Sequence, residues 1–230
     1  MTSDEQSTPQ RAVMKTIAII GQKGGTGKTH LAKLLLCGFA ADGLTVLGVD
    51  LDPQASLCKW GDRRAQETPA IMPMLASRLV PTLESARAHG VEIAVIDTAG
   101  RARDEALAAV QVADLVLIPL QPTTEDLETF PATQDYLRFA GDVAALAILV
   151  MVEPRGSQAD QAETYLREAG ITVCPVRIGR RAAFRHASTV GQVAAEYAPR
   201  SSKAWEESRD LYQQVRRHLA DAESPAATPD

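Results

Sequence analysis

Short apolar runs separated by turn-forming residues recur along the chain, and they predict a sheet of buried strands. Seven runs have the length of a strand, at residues 13–20, 45–49, 71–75, 93–96, 115–119, 146–152 and 171–176. Most of them contain few polar residues, so we expect most of these strands to be buried on both faces.

Helical patterns lie between several of these runs. Residues 29–41 place leucines and Cys37 on one side of a helix, and residues 159–169 form a second pattern that ends at Gly170. Strands that alternate with helices require crossover connections, which are right-handed. The pattern therefore predicts an α/β fold with a doubly wound, mostly parallel sheet flanked by helices.

The composition fits one folded domain with polar ends. The chain has 230 residues, of which 45% are apolar and only 4% aromatic, so aliphatic side chains must form most of the core. Residues 1–11 and 221–230 contain too few apolar side chains to fold and are predicted to be disordered tails. The predicted domain therefore spans residues 12–220.

Several classes of protein are disfavoured by the sequence. The start of the chain lacks the basic and then apolar order of a signal peptide, and no apolar run is long enough to span a membrane. Cys37, Cys58 and Cys174 are widely spaced and form no C-x-x-C pair, which argues against disulfides or a zinc site. We expect a cytoplasmic protein with reduced thiols.

A glycine-rich turn follows the first predicted strand and precedes the first predicted helix. It reads Gln22-Lys-Gly-Gly-Thr-Gly-Lys-Thr, and this strand–turn–helix context is the one that a phosphate-binding P-loop requires. In such a loop the backbone N–H groups and the helix N-terminus face phosphate oxygens. Position then assigns Lys28 to the β- and γ-phosphates and the Thr29 hydroxyl to Mg²⁺.

Carboxylates end two of the other predicted strands. Asp50 and Asp52 follow the second strand and Asp97 ends the fourth, in the sequence Val95-Ile-Asp-Thr-Ala-Gly. Ligands of open α/β sheets bind at the carboxyl ends of the strands, so all three side chains are expected near the P-loop. Asp97 has the place of a Walker B carboxylate, and Asp50 is expected close to the Mg²⁺ shell.

The loop resembles the deviant Walker A loop of ParA and MinD type ATPases, and the later sequence is most similar to short ParA proteins of the ParF kind. The resemblance implies ATP as the ligand, and it implies that Lys23 reaches the partner's phosphates in a nucleotide-sandwich homodimer. It further implies that Asp52 orients the attacking water. Gly100 permits a backbone N–H near the γ-phosphate, so residues 98–100 are predicted to form a switch that senses hydrolysis. His30 departs from the family, which usually has Thr or Ser near the α-phosphate; its imidazole is expected to donate a hydrogen bond there.

These assignments form the predicted site. Nucleotide binding is assigned to Lys23, Gly24, Gly25, Thr26, Gly27, Lys28, Thr29, His30 and Asp97; metal binding to Thr29, Asp50 and Asp97; and catalysis to Lys23, Lys28 and Asp52.

The resemblance also implies a role in plasmid or chromosome partition, or in cargo positioning. Residues 177–217 carry nine Lys/Arg against four Asp/Glu although the whole chain has a net charge of −5. This excess indicates either solvated helix faces or a patch for nonspecific DNA, which would place the ATP-bound form on the nucleoid. The candidate phosphate contacts are Arg177, Arg180, Arg181, Arg185, Arg200 and Lys203. A partner of the ParB or ParG kind is expected to stimulate a slow intrinsic ATPase.

Two other functions remain open at this point. A membrane-surface switch like MinD would need a C-terminal amphipathic helix with bulky apolar residues, which residues 211–219 scarcely provide. The other alternative is a metabolic or redox enzyme that has the same type of phosphate-binding loop, such as a relative of dethiobiotin synthetase or of the nitrogenase iron protein. The spacing of the cysteines disfavours an iron–sulfur cluster.

Overall fold

The computed structural model describes residues 14–141 and 143–222, and every predicted strand is present in it. The strands are β1 (Lys15–Ile19), β2 (Val46–Asp50), β3 (Ala70–Pro73), β4 (Ile93–Asp97), β5 (Leu115–Leu120), β6 (Ala145–Leu149) and β7 (Thr172–Val173). The largest difference from the prediction is β7, which is only two residues long.

Helices connect the strands, and both predicted helices are found as α1 and α7. The helices are α1 (Lys28–Ala41), α2 (Ser56–Gly61), α3 (Leu79–Ala88), α4 (Arg103–Gln111), α5 (Thr124–Leu127), α6 (Phe130–Phe139), α7 (Gln158–Glu168), α8 (Ala182–Thr189), α9 (Ala194–Tyr197) and α10 (Lys203–Asp221). A short 3₁₀ turn, Ala76–Arg78, precedes α3.

The strands form one sheet in the order β3-β2-β4-β1-β5-β6-β7, and every pair is parallel. β1 lies between β4 and β5, with Ile19 opposite Asp97, and β2 places Asp50 opposite Asp97 from the other side. The carboxyl ends of the strands therefore meet at one edge, where the predicted site residues follow them. This architecture confirms the predicted fold class.

The core consists of two layers, one on each face of the sheet. Ile17 and Ile19 of β1 pack with α1, α2, α8, α9 and α10, whereas Ala18 and Ile20 pack with α3, α4, α6 and α7. Successive strand residues point to opposite faces, so a strand covered on both sides must be apolar throughout. That requirement explains why the apolar runs identified the strands.

The predicted N-terminal tail lies outside the described residues. Of the predicted C-terminal tail, only Asp221 and Ala222 are described, and Asp221 is the last residue of α10. Leu211, Val215 and Leu219 form a buried face that continues into the last turn of α10. The helix therefore extends one residue past the predicted domain boundary at residue 220. No helix within residues 14–141 and 143–222 is long and apolar enough to cross a membrane.

The packing of α10 on α1 gives a test of the fold. A Cβ atom on Gly38 would lie 2.5 Å from Cδ2 of Tyr212, whose hydroxyl donates to Asp42 Oδ2 at 2.6 Å and so resists displacement. We expect Gly38→Ala to lower the free energy of unfolding by about 1–3 kcal/mol, as overpacking does. In a Tyr212→Ala background the same change should be neutral or stabilising, because alanine favours the helix. Equal losses in both backgrounds, measured by denaturant unfolding, would contradict this packing.

Candidate functional site

The glycine-rich turn lies between β1 and α1, as the motif requires. Gly25 and Gly27 have φ of 77° and 86°, a left-handed conformation that side chains disfavour. Gly27 caps α1, and Lys28 is the first residue of the helix. The turn therefore ends with free N–H groups of a helix N-terminus directed into the site.

Lys28 is buried beneath this turn. Its side chain is 6% exposed, and its Nζ donates to the carbonyl of Lys23 at 2.7 Å. Burial lowers the pKa of Lys28, and the charges of Asp97, Asp52 and Asp126 oppose that effect. The turn thus encloses an ammonium group whose partners in this structure are backbone carbonyls.

Asp97 is a buried carboxylate at the end of β4. It is fully buried, and within the described residues neither of its oxygens has a hydrogen-bond partner of standard geometry. Burial raises the pKa of Asp97 to about 7; the Thr29 hydroxyl and Lys28 oppose the rise, and Asp50 and Asp52 add to it. An orphaned pair of carboxylate oxygens beside a hydroxyl is a suitable donor set for Mg²⁺.

Asp50 has contacts that the sequence did not indicate. Its carboxylate accepts hydrogen bonds from the backbone N–H groups of Leu57 at 2.9 Å and Cys58 at 3.0 Å, and from Asp52 at 3.1 Å. Oδ2 therefore holds the first turn of α2, and Oδ1 holds the loop at Asp52. This engagement leaves Asp50 less available to a metal than Asp97.

Asp52 lies in the loop between β2 and α2 and is partly exposed. Its Oδ1 accepts from the backbone N–H of Gln54 at 2.8 Å, which fixes the turn. The side chain lines the same cavity as Lys28 and Gly100. The structure thus brings Asp52 to the site that the sequence predicted for it.

Two neighbouring cavities meet at the start of α1. The first, of about 460 Å³, is lined by the turn, Thr29, Asp52 and residues 98–100. The second, of about 540 Å³, has a mainly apolar lining that includes Val150, Ile178 and Phe184, and Arg180, Arg181 and Arg185 also line it. Both cavities are lined by Gly27, His30, Lys33 and Met151. A polar compartment beside an apolar one is suited to a ligand with an anionic part and a planar apolar part.

His30 and Lys33 form the wall between the two cavities. The His30 ring packs edge-on against Phe184 with a centroid distance of 4.7 Å, and burial lowers its pKa to about 4, so the ring is neutral at pH 7. Burial lowers the pKa of Lys33 to about 8; Asp97 and Asp50 oppose this effect and Arg63 adds to it. The sequence identified His30 from its place in the motif, but it gave no signal for Lys33.

Lys23 at the mouth of the turn is paired within its own chain. Its Nζ lies 3.0 Å from Oδ1 of Asp126, a residue of α5 that is 3% exposed. The other oxygen of Asp126 accepts from the backbone N–H of Gln121 at 2.8 Å. Lys23 follows β1 and Asp126 follows β5, about a hundred residues later in the sequence. The two side chains meet because β1 and β5 are adjacent in the sheet.

The segment after β4 packs directly on the P-loop. The Thr98 hydroxyl donates to the carbonyl of Ile19 at 2.9 Å, and a Cβ on Gly100 would lie 2.6 Å from the backbone nitrogen of Gly24. Only glycine permits this approach. Residues 98–100 are therefore in close backbone contact with the P-loop.

Backbone strain also concentrates around the site. In the described residues, the non-glycine residues with left-handed φ are Ala55 at 51°, Arg101 at 63° and Met151 at 54°. They follow, respectively, Asp52, Gly100 and β6. Conformations of this kind persist where the surrounding structure enforces them, and they are frequent at functional sites.

The six candidate DNA contacts divide into paired and unpaired charges. Arg177 pairs with Asp160 and Glu163, Arg180 with Glu153, Arg181 with Glu207, and Lys203 with Glu206. Arg185 and Arg200 are exposed and form no ion pair with any residue in 14–141 or 143–222. The excess of basic residues along the sequence is thus partly cancelled by acids from other segments.

Comparison with known proteins agrees with this geometry. Residues 17–194 match the CobQ/CobB/MinD/ParA nucleotide-binding domain. The chain is 35% identical over 167 residues to the maintenance of carboxysome distribution protein A of Gloeobacter kilaueensis, covering 71% of this chain and 76% of that protein. It is 29% identical over 230 aligned residues to the chromosome-partitioning ATPase Soj of Thermus thermophilus, covering 84% and 92%.

A solved structure shows the same fold. The septum site-determining protein MinD of Pyrococcus horikoshii, complexed with Mg-ADP, superposes with a TM-score of 0.71 at 18% identity, covering 93% of this chain and 100% of that one. The match over residues 17–194 spans most of the chain and includes the loop, Asp50, Asp52 and Asp97. The protein belongs to the CobQ/CobB/MinD/ParA nucleotide-binding family, and its P-loop is of the ParA/MinD deviant Walker A type.

Proposed function

We propose that this protein is an Mg²⁺-dependent ATPase that works as a switch, with an ATP-bound homodimer that hydrolysis returns to monomers. The observation that carries the proposal is the phosphate-binding turn with Lys28 beneath it, Lys23 at its mouth and the unpaired carboxylate of Asp97 beside it. The family and the relatives named for chromosome partition and carboxysome distribution support a role in partition or cargo positioning.

ATP fits the two cavities. Phosphate oxygens would replace the carbonyl of Lys23 as acceptors for Lys28 and would also accept from the helix N-terminus. The apolar cavity would take the base, with Met151 and Ile178 in its lining. Thr29 and Asp97 are the residues that would hold Mg²⁺, which supplies charge neutralisation at the phosphates.

Hydrolysis requires an oriented water and compensation of the charge that develops on the phosphates. Asp52 lines the phosphate cavity and is fixed by its turn, so we assign it the orientation of the water. Asp50 is assigned to holding α2, and therefore acts on the site through the position of the 52–56 loop. The compensating charge comes from Lys28 and, across the dimer, from the partner's Lys23.

The pair between Lys23 and Asp126 sets the condition for dimerisation. Lys23 must leave Asp126 to reach a second subunit, and phosphate charge bound by that subunit would offer it a strong anionic partner in exchange. The monomer is thereby favoured until ATP binds, because a ligand shifts an equilibrium only through a difference in its interactions with the two states.

Nonspecific DNA is proposed as the surface that the ATP-bound dimer occupies. Arg185 and Arg200 are the strongest of the six candidates, because their charges are exposed and lack acidic partners among the described residues. A dimer doubles the number of phosphate contacts and so strengthens an interaction that is weak for one chain. A small DNA-binding or adaptor protein of the ParB or ParG kind is proposed to stimulate hydrolysis.

The membrane alternative is less well supported. The apolar side of α10 faces the core, with Leu211 and Val215 fully buried and Leu219 only 5% exposed. These residues are therefore unavailable to a lipid surface.

The dimer proposal is tested with Lys23→Ala and Asp126→Asn. With Mg²⁺ and a nonhydrolysable ATP analogue, the Lys23 variant should bind nucleotide but remain monomeric in sedimentation velocity. Asp126→Asn releases Lys23 while retaining an acceptor for Gln121, so it should dimerise at a several-fold lower protein concentration than the parent. Lys59→Ala, an exposed lysine of α2, is the control. Normal dimerisation of the Lys23 variant would contradict the proposed role of Lys23.

The Asp97 carboxyl predicts a dependence on pH. The pKa of Asp97 in the folded protein, about 7, lies above the value near 4 of an unfolded carboxyl. The stability that comes from burying the neutral carboxyl is therefore fully present below pH 4, and it is lost as the pH rises through 7 and the buried group ionises. Without Mg²⁺ and nucleotide, Asp97→Asn should therefore raise Tm at pH 8 more than at pH 5, by several degrees.

Two observations complete the Asp97 experiment. Mg²⁺ with the ATP analogue should raise the Tm of the parent much more than that of Asp97→Asn, since only the carboxylate binds the metal. Asp62→Asn, an exposed carboxylate at the end of α2, is the control and should show no difference between the two pH values. A Tm gain for Asp97→Asn that is the same at pH 5 and pH 8 would refute the buried charge.

DNA binding is tested by salt titration of the ATP-loaded protein on random duplex DNA. Arg185→Ala and Arg200→Ala should each reduce the slope of log K against log salt by about 0.9 for every DNA phosphate that the variant no longer neutralises. Arg177→Ala, which removes a charge already paired with two acids, should change the slope less. Absence of binding at low salt would exclude the DNA role; binding to anionic vesicles would then favour the membrane switch, and binding to neither would favour a metabolic enzyme.

A further inference from the structure

Lys33 is a buried cation that the proposed function has not used. It lies on α1, five residues beyond Lys28, and its side chain is only 9% exposed. Helical spacing places it on the same face as Thr29 and His30. It lines both the phosphate cavity and the apolar cavity, at the wall that they share.

The surroundings of Lys33 leave its charge poorly compensated. Of its three N–H donors, one is accepted by the Ser188 hydroxyl at 3.0 Å, and the Nζ lies 5.6 Å from the centre of the Trp60 ring. No carboxylate within residues 14–141 and 143–222 forms an ion pair with it. A buried charge without an ion-pair partner destabilises a fold, so packing alone does not account for a lysine at this position.

His30 provides a second and independent observation at the same wall. Its Nε2 is buried and has no hydrogen-bond partner among the described residues. A buried ring nitrogen without a partner costs free energy unless a ligand satisfies it. Two residues one helical turn apart thus present unsatisfied hydrogen-bonding capacity to the same pair of cavities.

The position of His30 and Lys33 between the two cavities indicates which part of a bound nucleotide they would contact. If the phosphates lie over the turn and the base lies in the apolar cavity, the part of a nucleotide that crosses between them is the 5′ carbon and the first phosphate. An ammonium at this position matches an anionic oxygen of the first phosphate. We propose that Lys33 leaves Ser188 and binds a nonbridging oxygen of the α-phosphate of a nucleoside 5′-phosphate, with His30 Nε2 donating beside it; this inference rests on the proposed nucleotide site.

Lys33→Met tests the proposal because it keeps the length of the side chain and removes its charge. Binding of adenosine, AMP and ADP is measured by competition against a fluorescent ATP analogue. We expect affinity for AMP and ADP to fall by about ten- to hundredfold, as for loss of a charged hydrogen bond, and adenosine affinity to stay unchanged. The Tm without nucleotide should remain equal or rise, because an uncompensated buried charge has been removed.

Two further variants separate this contact from its neighbours. Lys28→Ala should weaken ADP but not AMP, since Lys28 is assigned to the β- and γ-phosphates, whereas Lys33→Met should weaken both by a similar factor. Ser188→Ala removes the competing acceptor and should leave ADP affinity equal or higher.

Several results would overturn the inference. A lower Tm for Lys33→Met with unchanged AMP and ADP affinity would make Lys33 a structural residue. An equal loss for adenosine would place Lys33 at the base or ribose instead of the phosphate. Failure of the parent protein itself to bind the ATP analogue would refute the proposed function and this inference with it, while parent binding with an unaffected Lys33→Met would refute the inference alone.

Discussion

The parallel pairing of β1 with β4 is the constraint on which the site depends. It places Ile19, the last residue of β1, opposite Asp97, and β2 brings Asp50 to the other side of the same carboxylate. Because each of these strands is covered by helices on both faces, a shift of one residue would turn apolar side chains to the wrong layer. Packing of the core therefore fixes the distance between the lysines of the loop and the carboxylates that follow β2 and β4.

The result is an edge of the sheet where buried charges are present but poorly matched to one another. Lys28 donates to the carbonyl of Lys23, and Lys33 donates to a hydroxyl. Neither oxygen of Asp97 has a hydrogen-bond partner of standard geometry among the described residues. Phosphates and Mg²⁺ together supply the opposite charges that both kinds of group lack. Under the proposed function, nucleotide binding relieves this electrostatic cost, and Lys23, which pairs with Asp126 at the mouth of the turn, is the residue that would contact a second subunit.

Local pattern was sufficient to predict much of the fold and part of the site. Strands buried on both faces give continuous apolar runs. The strand–turn–helix context predicted the loop and Lys28, and the end of an apolar strand predicted Asp97, in each case from residues close in sequence. Contacts between distant segments gave no such signal. Lys33 meets Ser188 and Lys23 meets Asp126 only after the sheet has formed, and the acids that pair with Arg177 and Arg180 come from other elements. Charge counted along the sequence therefore overestimated the basic surface.

In the proposed dimer each ATP site is completed by a lysine from the other chain, and subunit complementation measures this directly. Lys23→Ala retains Lys28 beneath the P-loop but lacks the lysine that crosses the dimer. Lys28→Ala lacks the lysine beneath the P-loop but retains Lys23. Each variant alone should be inactive in steady-state ATP hydrolysis, and mixing them should restore part of the parent's turnover, because the mixed dimer contains one complete site. A mixture as inactive as its components, under conditions where mixed dimers are shown to form, would rule out a shared site and place the action of Lys23 within its own chain.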